Sequence, residues 1–265
     1  KYKEGEIPEP YTTAWAQKAG WMWQIPLLGR KGCGYVYDDN FTTPEKAQEE
    51  IETILGQEID PIRIIKFDSG RQESAWIKNC VTIGLSSAFL EPLEATSIHS
   101  TIVQANNLFL EYVKPTFDET INEGSMSIYN KRTRKLYDDV KDFLVLHYMG
   151  GRDDSEFWKY IKTGATQTEF VKELLAMAKS KTPTFNDFPH YQGAAGWPLY
   201  SYVMEGINVL NKDIAGAELD MQFKEGDLYE LTQQSYYELQ HQWQDATQYC
   251  YTYKEFIEYF REIRK

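Results

Sequence analysis

The spacing of hydrophobic residues changes once along the chain, near residue 93. Before that point, short runs rich in Trp, Tyr, Ile and Val are separated by Gly and Pro, which is the pattern of β-strands. From about Leu93 onward, apolar residues recur every three to four positions, which is the pattern of amphipathic helices. The sequence therefore predicts a mixed α/β part followed by a mainly helical part.

Four segments of the first part share the composition of strands. They are Trp21–Pro26, Tyr35–Tyr37, Ile62–Phe67 and Asn79–Leu85. A helix is predicted between them, at Thr43–Gly56, because Thr43 can cap it, Pro44 suits the first helical position and Gly56 can end it. Since these strands are too few to form a closed sheet, we expect them to complete a sheet begun elsewhere.

The second part contains seven predicted helices of varied length. They are Leu93–Tyr112, Ser125–Tyr148, Ser155–Ile161, Thr166–Ala178, Trp197–Leu210, Asp227–Gln244 and Tyr253–Ile263. The segment Ser180–Gly196 contains two prolines and two glycines and is predicted to be a loop. We place the domain boundary after Ile98, which gives domains of residues 1–98 and 99–265.

Net charge and hydropathy argue against two classes of partner, nucleic acid and membrane. It has 28 basic and 40 acidic residues, so its formal net charge is −12. An acidic surface repels phosphate backbones, so we expect no nucleic-acid partner. No apolar run approaches the roughly 18 residues of a membrane span, so we expect no membrane association through a helix.

Cysteine and histidine usage is uninformative about metals. The three cysteines are far apart, which predicts reduced thiols and a cytoplasmic location. The histidines lack the spacing of metal ligands, so no metal site is predicted and each is interpreted as packed or solvated. These histidines are His99, His147, His190 and His241. Aromatic residues make up 15% of the chain, which suits a wall for a planar molecule or, more simply, a core built from rings.

Two motifs carry chemical information. The first is W-x-W-x-I-P at residues 21–26, and the second is NCVTIGLSSAFLEPLEATSI at Asn79–Ile98. Together they resemble flavin-dependent halogenases of the tryptophan-halogenase type, whose hallmark is W-x-W-x-I-P and whose flavin-side motif reads F-x-E-P-L-E-S-T-G-I. The segments Lys141–Trp158 and Trp197–Leu210 resemble later helices of the family more weakly. The resemblance covers most of residues 11–210.

The resemblance assigns roles to the second motif. Glu94 matches the catalytic glutamate, and the backbone amides of Thr96 and Ser97 match the halide site. Leu85 and Ile98 match positions that line the flavin. A helix beginning near Pro92 would suit this role, because its first N–H groups and its dipole favour anions.

Further roles follow from the same resemblance. Trp21 and Trp23 would shield the substrate from the flavin, and Trp197 would contact the substrate. The sequence departs from the family at Ala95, where Ser is usual, and at Ser97, where Gly is usual. The segment Thr184–Gly196 lacks the tyrosine pair and the glutamate that grip free tryptophan. We therefore expect an indole-like, phenol-like or other electron-rich aromatic substrate.

The resemblance also implies a fold, cofactors and partners. The fold class is mixed α/β: residues 1–98 would form the C-terminal portion of a flavin-monooxygenase-like sheet domain with the halide site. Residues 99–265 would form a mainly helical domain that covers the substrate. Reduced FAD, dioxygen and a halide ion would be needed, with a separate flavin reductase supplying FADH2. Homo-oligomerisation is left open.

Two parts of the family's machinery are not found in these 265 residues. The G-x-G-x-x-G dinucleotide loop is absent, since Gly32-Cys33-Gly34 is not followed by a third glycine, and the family's catalytic lysine precedes W-x-W-x-I-P. We therefore expect the chain to act with the N-terminal half of the same enzyme. The alternatives are a flavin-dependent aromatic monooxygenase, or a non-catalytic fragment with a structural or interaction role.

Overall fold

The computed structural model describes residues 2, 6–114, 122–164, 166–188, 196–224 and 228–263. Backbone contacts group the chain into two compact units. One is drawn from Lys1–Ile64, Asp153–Tyr160 and Gly216–Lys265, and the other from Ile65–Arg152 and Ile161–Ala215. These compact units differ from the predicted domains, residues 1–98 and 99–265. That boundary separates the cofactor-binding part from the substrate-covering part, and it stays a prediction.

The first unit contains a three-stranded antiparallel sheet. Its strands, with β2 at the centre, are β1 (Thr13–Gln17), β2 (Gly20–Pro26) and β3 (Lys31–Tyr37). Within the described residues, these strands pair only with one another. The sequence did not predict β1, because its one large apolar residue is flanked by alanines.

Four helices accompany this sheet in the first unit, wholly or for most of their length. They are α1 (Pro44–Leu55), α4 (Glu156–Ile161), α8 (Leu228–Tyr249) and α9 (Tyr253–Glu262). The predicted ends of α1 are confirmed: the Thr43 side chain accepts from the amide of Lys46, and Gly56 adopts φ = 65°. The α4 segment is fastened to the sheet by the Trp158 indole N–H, which donates to the carbonyl of Gln17 at 2.7 Å.

The second unit is built around one long helix. It contains four helices, numbered by their order in the whole chain. They are α2 (Thr96–Asn107), α3 (Glu123–His147), α5 (Glu169–Met177) and α6 (Trp197–Gly206). A π-helical turn, Leu108–Val113, continues α2. A further helix, α7 (Lys212–Lys224), runs from this unit into the first. The sequence missed α7 because its apolar residues form only a weak stripe and Gly216 interrupts it.

Two clusters of buried residues form the core of this unit. One lies where α3 meets α5 and α6, and its buried members are Phe143, Leu146, Leu174, Ala178, Phe188, Tyr200 and Met204. The other is aromatic: Trp76 meets Tyr112 and Tyr129 edge to face, at ring-centre distances of 6.0 and 5.4 Å. Asn130 on α3 exchanges two hydrogen bonds with the backbone of Trp76 and so fixes that segment.

Two of the predicted strands are wrong in whole or in part. Ile62–Phe67 forms no strand, and its Ile62 side chain is fully exposed. Of Asn79–Leu85, only Cys80–Val81 pairs, with Trp76–Ile77, before a 3-10 turn at Gly84–Ser86. A strand needs a partner, and β-branched composition does not supply one. The other short pairing joins Gly70–Arg71 to Ala88–Phe89.

The helix predicted at Leu93–Tyr112 begins later than expected. Pro92 precedes a 3-10 turn, Leu93–Ala95, and the α-helix starts only at Thr96. The reason is the backbone of Glu94 and Ala95, which leaves the right-handed helical region. Within the described residues, no helix is both long and apolar enough to cross a membrane.

The two motif tryptophans share one face of β2. Three of their four cross-strand neighbours are small: Ala16 lies opposite Trp21, and both Ala14 and Gly34 lie opposite Trp23. The fourth, opposite Trp21, is Val36. Trp21 is buried, while Trp23 is half-buried. A Cβ built on Gly34 would lie only 2.5 Å from the indole of Trp23, so the ring rests directly on the glycine.

We predict that Gly34→Ala will destabilise the chain by about 1–3 kcal/mol, because the indole of Trp23 must move to admit a methyl group. Gly32→Ala is the matched control on the same strand. Its Cβ would lie 3.5 Å or more from any neighbour, which is an ordinary contact. Urea unfolding followed by tryptophan fluorescence measures both. Equal stability of the two variants would contradict the close approach.

Candidate functional site

The turn that precedes α2 has an uncommon backbone. Glu94 has φ = 64° and Ala95 has φ = 50°, so two consecutive residues with side chains occupy the left-handed region. Each such residue costs about 1 kcal/mol or more relative to right-handed backbone. The surrounding structure must therefore hold the turn in place, and strain of this kind is concentrated at functional sites.

Side chains at the C-terminal end of α3 stabilise this turn through hydrogen bonds. Nε2 of His147, the last residue of α3, lies 3.0 Å from Oε1 of Glu94. The next residue, Tyr148, donates its hydroxyl hydrogen to the carboxylate of Glu91, at 2.8 and 3.0 Å from the two oxygens. Two adjacent side chains thus hold the two carboxylates that flank Pro92.

The environment of Glu94 favours the ionised carboxylate. The hydrogen bond from His147 lowers the pKa of Glu94 below its ordinary value, and the charge of the imidazolium form lowers it further. Partial burial opposes both effects, because it penalises the charged form. The side chain of Glu94 keeps 42% of its surface exposed, whereas that of His147 keeps 17%. The carboxylate of Glu94 is therefore accessible from outside, whereas the histidine is largely covered.

The first turn of α2 begins at the two residues that the resemblance assigns to the halide. Thr96 and Ser97 are its first two residues, and Ala95, at the cap position, makes no side-chain hydrogen bond to them. Amides in the first turn lack acceptors within the helix and carry the positive end of the dipole. The hydroxyl of Thr101 donates to the carbonyl of Ser97 at 2.6 Å, which ties the second turn to the first.

A buried glutamine fastens the segment 82–87 to α2. Gln104 is 1% exposed. Its amide nitrogen donates to the carbonyl of Thr82 and to the hydroxyl of Ser87, at 2.8 and 3.0 Å. Its oxygen accepts from the amide of Gly84 and from the hydroxyl of Tyr137, both at 3.2 Å. All four hydrogen-bonding positions of the side chain are used, which gives the segment one conformation.

Two apolar side chains, one in the segment 82–87 and one in α2, are exposed. Leu85, in the 3-10 turn, is 70% exposed, and Ile98, in the first turn of α2, is 75% exposed. Exposed aliphatic side chains on the 3-10 turn and in the first turn of α2, two elements that contact each other, suit a ring system that is flat, apolar and anionic when reduced. The residues present are thus chemically suited to a flavin.

Trp197 is the first residue of α6 and is 37% exposed. The segment before it, residues 189–195, lies outside the described residues, and so does His190. In its described part, residues 180–188 and 196, the predicted loop Ser180–Gly196 contains a 3-10 turn at Phe185–Asp187 and neither α-helix nor strand, as predicted. The rest of the substrate-clamp segment Thr184–Gly196 cannot be compared with the expectation.

The predicted site residues fall into both compact units. Glu94, Thr96 and Ser97 are consecutive or nearly so, and Leu85, Ile98 and Trp197 belong to the same unit. Trp21 and Trp23 belong to the other unit. Within the part of the chain that the structure describes, no cluster of three or more His, Cys, Asp or Glu side chains could hold a metal ion.

Sequence reasoning missed the residues that support the site. His147, Tyr148 and Gln104 each contact it from a distant position in the chain. Gln104 lies outside both motifs, and His147 and Tyr148 lie in Lys141–Trp158, where the resemblance is weak and assigns no roles. A signal for the first two was the adjacent His-Tyr pair at the predicted end of α3. Nothing in the local pattern, however, indicated which side chains they would contact.

Comparison with known proteins identifies relatives among the tryptophan halogenases. The family model described as tryptophan halogenase matches residues 1–216. The chain is 37% identical over 197 residues to a tryptophan 6-halogenase of Streptomyces toxytricini, which covers 73% of this chain and 36% of that protein. It is 40% identical over 191 residues to a tryptophan 7-halogenase of Lentzea aerocolonigenes, covering 70% of this chain and 35% of that protein. The chain therefore spans little more than a third of the length of these relatives.

Solved structures share the fold. The crystal structure of the tryptophan 6-halogenase from Streptomyces toxytricini aligns with a TM-score of 0.67 and 34% identity, over 74% of this chain and 38% of that one. A tryptophan halogenase structure from Shewanella frigidimarina aligns with a TM-score of 0.76 over 95% of this chain and 49% of that one. At 24% identity, the second match is evidence for the fold alone.

We predict that the contact between Glu94 and His147 stabilises the fold at neutral pH and loses that effect in acid. The folded-state pKa of Glu94 is depressed, so its contribution is present above the unfolded pKa and disappears as pH falls through the folded pKa. Thermal unfolding of the wild type and of Glu94→Gln, followed from pH 7 to pH 3, measures the effect. The difference in melting temperature should shrink as the pH falls. A difference independent of pH would contradict the pairing.

Proposed function

The chain belongs to the tryptophan halogenase family, and from that premise we propose that it carries the halide site and catalytic carboxylate of a flavin-dependent halogenase. The reaction is the transfer of an electrophilic halogen to an electron-rich aromatic ring. The observation that carries the proposal is the geometry of Glu94, an ionised and accessible carboxylate held in a left-handed turn directly before a helix N-terminus.

Glu94 is suited to proton transfer at the substrate. Halogenation of a ring carbon releases the proton of that carbon, so a base must stand beside the ring. A carboxylate with a lowered pKa is ionised at neutral pH and can accept this proton. Its orientation is fixed by His147, which meets the requirement that a catalytic group be held in one geometry.

The amides of Thr96 and Ser97 would hold the halide, and Leu85 and Ile98 would contact the flavin ring. The helix start provides donors and a favourable dipole for the ion. The two exposed aliphatic side chains provide apolar contact. When bound, the reduced flavin and dioxygen supply the oxidising equivalent that converts halide to hypohalous acid.

The remaining parts of the reaction are proposed to come from other components. The 265 residues contain no G-x-G-x-x-G loop, which in dinucleotide-binding folds contacts the pyrophosphate. We infer that the N-terminal half of the same enzyme supplies this loop and the catalytic lysine. A separate flavin reductase would supply FADH2.

The substrate class is a small electron-rich aromatic compound, such as an indole or a phenol. Trp197 would contact it, while Trp21 and Trp23 would separate it from the flavin. The support for a substrate other than free tryptophan is the composition of residues 184–196, which contain neither a tyrosine pair nor a glutamate.

We predict that Glu94→Gln, in the halogenase holoenzyme that contains this chain, will lower product formation by roughly 10²-fold or more, the effect of removing a positioned acid or base. Flavin oxidation should stay nearly unchanged, because it precedes the step in which Glu94 acts. Product is measured by mass spectrometry from its chlorine or bromine isotope pattern, and flavin oxidation by absorbance.

Glu91→Gln is the matched control on the same turn. Glutamine can still accept the hydrogen bond from Tyr148, so turnover should stay within a few-fold of wild type. Halogenation at the wild-type rate in Glu94→Gln would contradict the assignment. A hydroxylated product formed without halide would favour the flavin-dependent aromatic monooxygenase. No turnover of any aromatic substrate by the wild type would favour a non-catalytic role.

We also predict that bromide binds at the amides of Thr96 and Ser97. Crystals of the flavin-bound holoenzyme soaked in bromide and measured at the bromine absorption edge should show an anomalous peak there. Ser97→Gly keeps both amides and removes a side chain, so it should retain the peak. Anomalous peaks only elsewhere would contradict this halide site.

A further inference from the structure

Each ring nitrogen of His147, the last residue of α3, lies close to an oxygen that can accept a hydrogen bond. Nδ1 of His147 lies 2.8 Å from the carbonyl oxygen of Phe143, and Nε2 lies 3.0 Å from Oε1 of Glu94. The ring also packs edge-on against the ring of Phe143, with 4.8 Å between the ring centres. The imidazole is therefore fixed in position and in the direction of both nitrogens.

The hydrogen-bond inventory determines how many protons this arrangement contains. A carbonyl oxygen only accepts, so Nδ1 of His147 must carry a hydrogen. In a neutral imidazole with that tautomer, Nε2 presents a lone pair, and an ionised carboxylate also presents only lone pairs. The contact at 3.0 Å thus requires one further proton, shared between His147 and Glu94.

We propose that His147 is the positioning residue of Glu94: it orients the carboxylate and holds the proton that the pair shares. This inference rests on the proposed function. Among the described residues, the hydrogen bonds of this end of α3 to titratable side chains include those from His147 to Glu94 and from Tyr148 to Glu91. Tyr148 is directed at Glu91, whereas His147 is the side chain whose hydrogen bond lowers the pKa of Glu94.

A shared proton is what halogen transfer from hypohalous acid needs. The bond between halogen and oxygen breaks as the bond between halogen and ring carbon forms. The departing hydroxide takes the proton held by the pair and becomes water. The ring carbon then releases its own proton to the carboxylate of Glu94, which restores the pair. One proton leaves the pair and one returns, so the balance is an aromatic C–H and hypohalous acid giving an aromatic C–halogen bond and water.

The experiment compares three variants of the holoenzyme. His147→Phe removes both the orientation and the proton, and product formation should fall roughly ten- to hundred-fold with flavin oxidation unchanged. His147→Gln can still donate to Glu94 but holds no titratable proton. It should recover part of the lost rate, and its acid limb in the pH profile should move to higher pH, because the pKa of Glu94 is no longer lowered by a cation. Tyr148→Phe is the matched control, since it removes the neighbouring hydrogen bond to Glu91 and leaves His147 in place.

The outcomes separate this inference from the proposed function. Wild-type product yield and pH profile in both His147 variants would overturn the inference while leaving the halogenase function intact. Equal losses in Tyr148→Phe and His147→Phe would also overturn it, because the effect would then be structural. If the wild type forms no halogenated product, the proposed function fails, and titration of the Glu94 carboxyl carbon by NMR decides the inference. An unchanged Glu94 titration in His147→Phe would overturn it, and a shift to higher pH would support it.

Discussion

The attachment of the Glu91–Ala95 turn to the C-terminal end of α3 is the constraint on which the candidate site depends. Two consecutive left-handed residues cost free energy, and an isolated peptide would not keep them. The hydrogen bonds from His147 and Tyr148 to Glu94 and Glu91 offset that cost. Because α2 can begin only where the turn ends, the same contacts set the start of α2 at Thr96 and therefore the position of its first amides.

A second constraint acts on the other side of α2. Gln104 is buried, and each of its hydrogen-bonding positions is satisfied by the segment 82–87 or by α3. A buried amide with incomplete partners would destabilise the fold, so the segment must adopt the conformation that completes them. As a result, α2 carries both the proposed halide site, in its first turn, and Gln104, which holds the segment that contains Leu85. The helix α3 contributes to both through Tyr137 and His147.

The positions of the two motif tryptophans follow from strand alternation and from the size of the residues opposite them. Alternation along β2 sends Trp21 and Trp23 to one face, and three of the four residues opposite them are Ala or Gly. The G-x-G at Gly32–Gly34 is the clearest example: it is no part of a phosphate loop but a flat surface for the indole of Trp23. Small neighbours allow two large rings to lie side by side on a narrow sheet.

The sequence by itself determined what depends on neighbouring residues in the chain. The caps of α1, the position of α3, the alternation along β2 and the family resemblance were all predictable, because propensity, capping and periodicity are local. The start of α2 was not, because the turn before it is held by a residue 53 positions away. For the same reason the roles of His147 and Gln104 were hidden, and the strand predicted at Ile62–Phe67 did not form for lack of a partner. Contacts between distant residues are made only when the chain folds, and here those contacts determine the conformation of the residues that carry the proposed chemistry.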